Sequence, residues 1–196
     1  MKFPKYTDMY AQGESDTQYR KVTSDYVSTI TVDGQEILKV ESEGLRLLTV
    51  EAMRDISHLL RTSHYEKLAK ILDDPEASDN DRFVARELFK NANIAAGMVL
   101  PSCQDTGTGI VMGKKGQFVW TDGDDNEIIN QGVIDTFTQN NLRYAQLAPK
   151  SLFEETNTKT NGPAQVDIYA TEGKEYHFLF IAKGGGSANK TFLYQQ

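Results

Sequence analysis

The chain opens without a hydrophobic pattern and then acquires one. Residues 1–18 are polar and irregular, with Gly13-Glu14-Ser15-Asp16 showing no periodicity, and read as an arm ahead of a domain over 19–196. Val27-Ser28-Thr29-Ile30-Thr31-Val32 alternates toward Asp33-Gly34, and Gln35-Glu36-Ile37-Leu38-Lys39-Val40 resumes the alternation. This is the pattern of two strands closed by a type I′ turn. From 42 to about 60, Leu45, Leu48, Ala52, Ile56, Leu59 and Leu60 recur at helical spacing behind Ser42 as cap, so that face is expected in the core. A second helix over 63–72 stops at Asp73-Asp74-Pro75. A third, capped by Ser78 or Asp79, runs through Phe83, Val84, Leu88, Ala92 and Ala95 to end at Gly97.

Beyond Gly97 the character changes. Ile110-Val111-Met112-Gly113 and Gln117-Phe118-Val119-Trp120 predict strands around Lys114-Lys115-Gly116, and 127–144 reads as a helix despite Gly132, with Arg143 in its last turn. Residues 164–170 and 176–183 alternate around Glu172-Gly173 as a further hairpin. Helices and hairpins in blocks predict an α+β fold, with antiparallel or mixed sheets packed against several helices, over a doubly wound parallel sheet.

Composition narrows the partners. The 196 residues carry 28 acidic against 21 basic side chains, a net charge of −7, which supplies no basic footprint for nucleic acid. The longest apolar run, 178–182, is far short of the roughly 20 residues that cross a bilayer, so no membrane partner is expected. The first residues lack the apolar core of a secretory signal, and a single cysteine excludes an internal disulfide; a reducing, cytoplasmic setting is the expectation.

Three segments hold candidate chemistry. Leu100-Pro101-Ser102-Cys103-Gln104-Asp105-Thr106-Gly107-Thr108-Gly109 packs a thiol, an amide, a carboxylate and hydroxyls into one loop, followed by glycines that admit a ligand to backbone N–H groups. The plain alternative is a buried small cysteine in a turn. In the segment 182–190, Lys183 and Lys190 flank Gly184-Gly185-Gly186, a run that suits an anion or, equally, a flexible surface turn. It has neither the Walker A spacing nor the dinucleotide fingerprint. Arg143 offers a planar fork that matches a carboxylate, or simply complements a helix C-terminus. His58, His64 and His177 share no spacing and are assigned to packing or surface roles. Asp122-Gly123-Asp124-Asp125-Asn126 misses the ligand pattern of a calcium loop and reads as a turn capping the next helix.

Taken together, the loop 100–109, Asn-Leu-Arg-Tyr-Ala-Gln at 141–146, Glu-Thr-Asn-Thr at 155–158, Pro-Ala-Gln at 163–165 and Ala-Lys-Gly-Gly-Gly-Ser-Ala-Asn-Lys at 182–190 resemble the amino-terminal half of a class I fumarate hydratase. The resemblance implies an iron–sulfur hydro-lyase of the tricarboxylic acid cycle, an oxygen-sensitive homodimer that interconverts fumarate and (S)-malate, with tartrate dehydratases as close relatives. It implies a 4Fe-4S cluster held by three cysteines with one iron open to substrate oxygen. Cys103 would be one of the three ligands. Gln104 and Asp105 match substrate-contacting positions, Asp105 lying near the hydroxyl or the leaving water and taking the catalytic role. Arg143 matches a carboxylate clamp and Gly186 a backbone contact to substrate, with Lys183 and Lys190 beside it.

One cysteine cannot supply three thiolates, so the other two ligands and the catalytic base are expected outside this chain. The final Thr191-Phe192-Leu193-Tyr194-Gln195-Gln196 also lacks any capping pattern. The expectation is an inactive fragment, cut at its C-terminal end, of a protein more than twice as long. The competing readings are a tartrate dehydratase-like hydro-lyase, a metal-free dicarboxylate-binding module, and an interaction domain that docks a cysteine-bearing subunit.

Overall fold

The computed structural model describes residues 18–102 and 108–184. Within them the order is β1 (Val27–Val32), β2 (Gln35–Val40), α1 (Ser42–His58), α2 (Thr62–Asp73), α3 (Asp79–Ala95), β3 (Thr108–Gly116), β4 (Val119–Thr121), α4 (Asp125–Gln139), β5 (Leu147–Pro149), β6 (Glu155–Asn157), β7 (Gln165–Thr171) and β8 (Tyr176–Lys183). Mixed and antiparallel sheets packed with helices make this an α+β fold, as the block pattern predicts.

The first hairpin forms in the expected register, Val27 facing Val40 and Val32 facing Gln35. Its turn is type I′ because Asp33 and Gly34 both take positive φ, 49° and 80°, a geometry that Gly adopts freely and Asp tolerates. β2 then accepts β4 alongside it in parallel, Leu38 to Val119.

The second sheet has the order β7-β3-β8. The expected hairpin of 164–170 with 176–183 is therefore corrected: β7 and β8 do not pair, because β3 inserts between them, parallel to β7 and antiparallel to β8. β3 also runs straight through Lys114-Lys115-Gly116, so the strand at 119–121 belongs to the other sheet rather than folding back on β3. A central strand is shielded on both edges, and the long pairing available to β3 on each side outweighs the short β7–β8 connection.

Helices α1 and α4 pack on this sheet around a core of Leu45, Met53, Val111, Ile129, Val133, Phe137 and Leu142. Each such side chain contributes about 1.5–3 kcal/mol of burial. On α1 the buried positions are Leu45, Thr49, Met53, Ser57 and His58, while Leu59 is exposed, so the apolar stripe read from the sequence is rotated. The reason is Gly132 on α4, which brings the helices close enough to seat Thr49: a methyl group at Gly132 would lie 2.7 Å from Thr49 Cβ. Ser42 is not the cap of α1. Glu41 holds that position and Ser42 donates through its N–H and Oγ to Asp122, which holds the Asp122 carboxyl below its ordinary pKa.

Helix α3 begins as predicted at Ser78, which forms a reciprocal capping box with Asp81, lowering the Asp81 pKa. α2 and α3 lie against one another, Tyr65 stacking on Phe89 with centroids 6.0 Å apart. No residue of α2 is buried, and Phe83, Val84 and Leu88 on α3 remain exposed. Helix α4 starts at the Asp124 cap, whose side chain accepts from the N–H groups of Asn126 and Glu127, confirming the 122–126 segment as a helix-capping turn. It ends at Gln139, where Asn140 turns extended and both its N–H and its amide donate to the Thr136 carbonyl. Arg143 therefore lies beyond the helix and not in its last turn.

Candidate functional site

The register of the second sheet gathers three strand termini at one end. Thr108 faces Lys183 and Gly109 faces Ala182, so β8 finishes where β3 starts; Ile110 faces Gln165, so β7 starts there too. The first residues of β3 and β7 and the last of β8 thus lie side by side. Gly109 sits where a Cβ would meet Val133 at 2.9 Å and Met53 at 3.3 Å, so the start of β3 presses directly onto the helical layer.

The residues that flank this end are tied down by contacts distant in sequence. The Ser57 carbonyl, in the last turn of α1, accepts from both Ser102 N–H at 2.9 Å and Ser102 Oγ at 3.0 Å. Beside it, buried His58 donates from Nδ1 to the Arg54 carbonyl at 2.7 Å; a carbonyl only accepts, so the proton is on Nδ1. Asn141 Nδ2 donates to the Val99 carbonyl at 3.1 Å, joining the segment after α4 to the one after α3.

From there, Leu142 turns into the core and Arg143 outward to an exposed position. The next three residues are held by asparagines of the 157–161 loop. Asn157 Nδ2 donates to the Tyr144 carbonyl at 2.7 Å, and Asn161 Oδ1 accepts from Ala145 N–H at 3.0 Å and Gln146 N–H at 2.9 Å. Gln146 Nε2 donates to the Pro163 carbonyl at 2.8 Å, following the cis Gly162–Pro163 peptide, and Ala164 N–H donates to Asn130 Oδ1 at 2.8 Å. The motifs 141–146, 155–158 and 163–165, separate in sequence, thereby form one hydrogen-bonded unit at the start of β7.

Of the expected site residues, Arg143 and Lys183 are described. Lys183 closes β8, is exposed, and its Nζ donates to the Gly184 carbonyl at 2.8 Å. Cys103, Gln104, Asp105, Gly186 and Lys190 lie outside the described residues, as do residues 1–17 of the expected arm. Among the described residues, no group of three His, Cys, Asp or Glu side chains could hold a metal ion. His58 serves packing, and His177, on β8, is half-buried with its Nε2 2.7 Å from Glu175. The sequence pattern singled out neither Asn161 nor Ser57. The signal for Asn161 was present in Asn161-Gly162-Pro163, since Asn tolerates the positive φ of 55° found there.

A second polar cluster marks the opposite end of the sheet and is structural. Lys115 Nζ donates to Asp125 Oδ2 at 2.7 Å and to Thr121 Oγ1 at 2.6 Å, while Tyr176 OH donates to Asp125 Oδ2 at 2.9 Å. Burial, and then the Asp125 carboxylate, push the Tyr176 phenol above its ordinary pKa. This cluster pins the start of α4 to β3 and β8, away from the convergent strand termini.

Comparison with known proteins agrees with the grouping of motifs. The family model described as fumarate hydratase (Fumerase) matches residues 47–195. The chain is 53% identical over 191 residues to the anaerobic class I fumarate hydratase of Escherichia coli K12, covering 97% of this chain and 35% of that protein. It is 55% identical over 183 residues to the aerobic class I enzyme of the same strain, covering 93% and 33%. It is 52% identical over 183 residues to mitochondrial fumarate hydratase 1 of Leishmania major, covering 92% and 33%. The chain spans about a third of the length of these curated relatives. It belongs to the fumarate hydratase (Fumerase) family.

Proposed function

We propose that this chain is the amino-terminal part of an iron–sulfur fumarate hydratase, which catalyses the reversible hydration of fumarate to (S)-malate in the tricarboxylic acid cycle, as a cytoplasmic homodimer. The observation that carries the reading is that the β3 start, the β8 end and the β7 start, to which Gln146 ties the Arg143 segment through Pro163, lie at one end of the sheet in a chain whose residues 47–195 match the family model.

In this reading Arg143 receives one carboxylate of the dianion, its planar fork making paired N–H contacts. Lys183, Lys190 and the backbone at Gly186 supply further positive potential from the β8 side. Gln104 and Asp105 take the family's substrate-contacting roles, Asp105 acting at the hydroxyl or departing water. A hydro-lyase must manage a weakly acidic C–H and a poor leaving group together, so the proton at C3 needs a separate base, which this reading places outside the chain.

The 4Fe-4S group implied by the resemblance does not fit the residues present. Such clusters take most of their ligands from cysteine thiolates, and the chain contains one cysteine, Cys103. Cys103 supplies at most one ligand and the others must come from outside the chain, so these residues by themselves support no catalytic step through the cluster.

The test is made on the intact protein carrying this sequence, purified anaerobically. Fumarate hydration with the absorbance of an iron–sulfur group is expected, both lost in Cys103→Ala, while the 196-residue chain alone is expected to be inactive. Full activity in Cys103→Ala would remove the ligand assignment. Absence of hydration with preserved fumarate affinity would favour a dicarboxylate-binding module, and faster turnover of tartrate would favour a tartrate dehydratase.

A further inference from the structure

We propose that Asn161 is a positioning residue that sets the backbone on which Arg143 is presented to a carboxylate; this rests on the reading of Arg143 given above. Asn161 is fully buried, with 0% of its surface exposed, although its amide is among the most strongly solvated of neutral side chains. Its Oδ1 accepts two backbone N–H groups from consecutive residues, Ala145 and Gln146, 16 and 15 positions earlier. A single acceptor shared by two successive peptide units fixes their relative orientation, and so fixes the direction in which the chain leaves Arg143.

The neighbouring contacts act on the same stretch. Asn157 Nδ2 holds the Tyr144 carbonyl, so every residue from Tyr144 to Gln146 has a backbone group bound by the 157–161 loop. On the other side of Arg143, Asn141 is bound to Val99 and Leu142 is buried. Arg143 is thus an exposed side chain on a backbone restrained before and after it. That is the arrangement expected where a guanidinium must meet a carboxylate in one orientation, because the fork gains its paired contacts only when preorganised. Asn161 itself has no exposed surface from which to touch a ligand, which separates its role from that of Arg143.

Amide hydrogen exchange followed by mass spectrometry on the intact protein carrying this sequence, with a fumarate titration on the same preparation, tests this. Asn161→Ala is expected to accelerate exchange at Ala145 and Gln146 by about tenfold or more, to leave Val111 and Val133 unchanged, and to weaken fumarate binding about fivefold. Asn161→Asp retains an acceptor oxygen in the same place and is expected to restore protection at both amides. Asn157→Ala, at an exposed position that does not endanger folding, is expected to shift fumarate affinity in the same direction by less. Unchanged exchange at Ala145 and Gln146 in Asn161→Ala would overturn the proposal. So would a loosened backbone with undiminished fumarate affinity. Arg143→Lys binding fumarate as tightly as the unaltered chain would instead sink the carboxylate reading, and the positioning role with it, while exchange would still report whether Asn161 holds the segment.

Discussion

Gly132 of α4 lies directly against Thr49 of α1: a methyl group at Gly132 would stand 2.7 Å from Thr49 Cβ, 2.9 Å from its Cγ2 and 3.0 Å from the Arg46 carbonyl. The Thr49 hydroxyl is spent within its own helix, donating to the Leu45 carbonyl at 2.9 Å, so the contact is one of shape. Gly132→Ala brings a gain in helix propensity of about 1 kcal/mol and an overpacking cost of about 1–3 kcal/mol. Because backbone as well as side chain stands in the way, the cost prevails, and a lower Tm is expected. A higher Tm would mean that α1 and α4 can separate freely.

Lys115 and Asp125 form an ion pair with side-chain exposures of 25% and 10%, whereas Lys150 and Glu154 are 55% and 66% exposed. Lys115→Met strands a nearly buried carboxylate and is expected to cost about 3 kcal/mol, provided the Tyr176 hydroxyl remains. Lys150→Met is expected to cost under about 1 kcal/mol. Urea unfolding of both variants measures the difference, and equal losses would deny the first pair its structural role.

Tyr176 gives a pH dependence whose sign follows from its raised pKa. The folded state holds the phenol proton more tightly than the unfolded chain, whose tyrosines titrate near about 10. The associated stability is therefore complete below that pH and is lost as pH rises toward the folded value. Melting between about pH 9 and 11 is expected to show a steeper decline in the unaltered chain than in Tyr176→Phe, which is less stable at neutral pH but has no phenol to ionise. Parallel declines would contradict the burial of Tyr176.

Arg143→Lys in the intact enzyme replaces a planar fork by a point charge. KM for fumarate is expected to rise by about tenfold, equivalent to about 1.4 kcal/mol, with little change in the absorbance of the iron–sulfur group. An unchanged KM would remove Arg143 from the substrate site.

Features whose cause lies within a few residues were legible along the chain before any folding was considered. Asp33-Gly34 has the two residues that accept positive φ in a tight turn, and the hairpin follows. Ser78 and Asp81 cap each other across three positions, and Asp124 caps α4 across two and three. The order of the motifs was equally legible, and with it the family. Whatever depends on partners far along the chain was settled by the closed fold. The insertion of β3 between β7 and β8 follows from pairings more than fifty residues apart, invisible to local alternation. The buried face of α1 turned toward Thr49 because Gly132 left space for it on another helix. Arg143 left the helix because Asn140 closes α4 early, and its segment was then fixed by Val99, Asn157 and Asn161. A residue's spacing reveals which face it can occupy, but only the closed fold supplies the buried acceptor that holds it there.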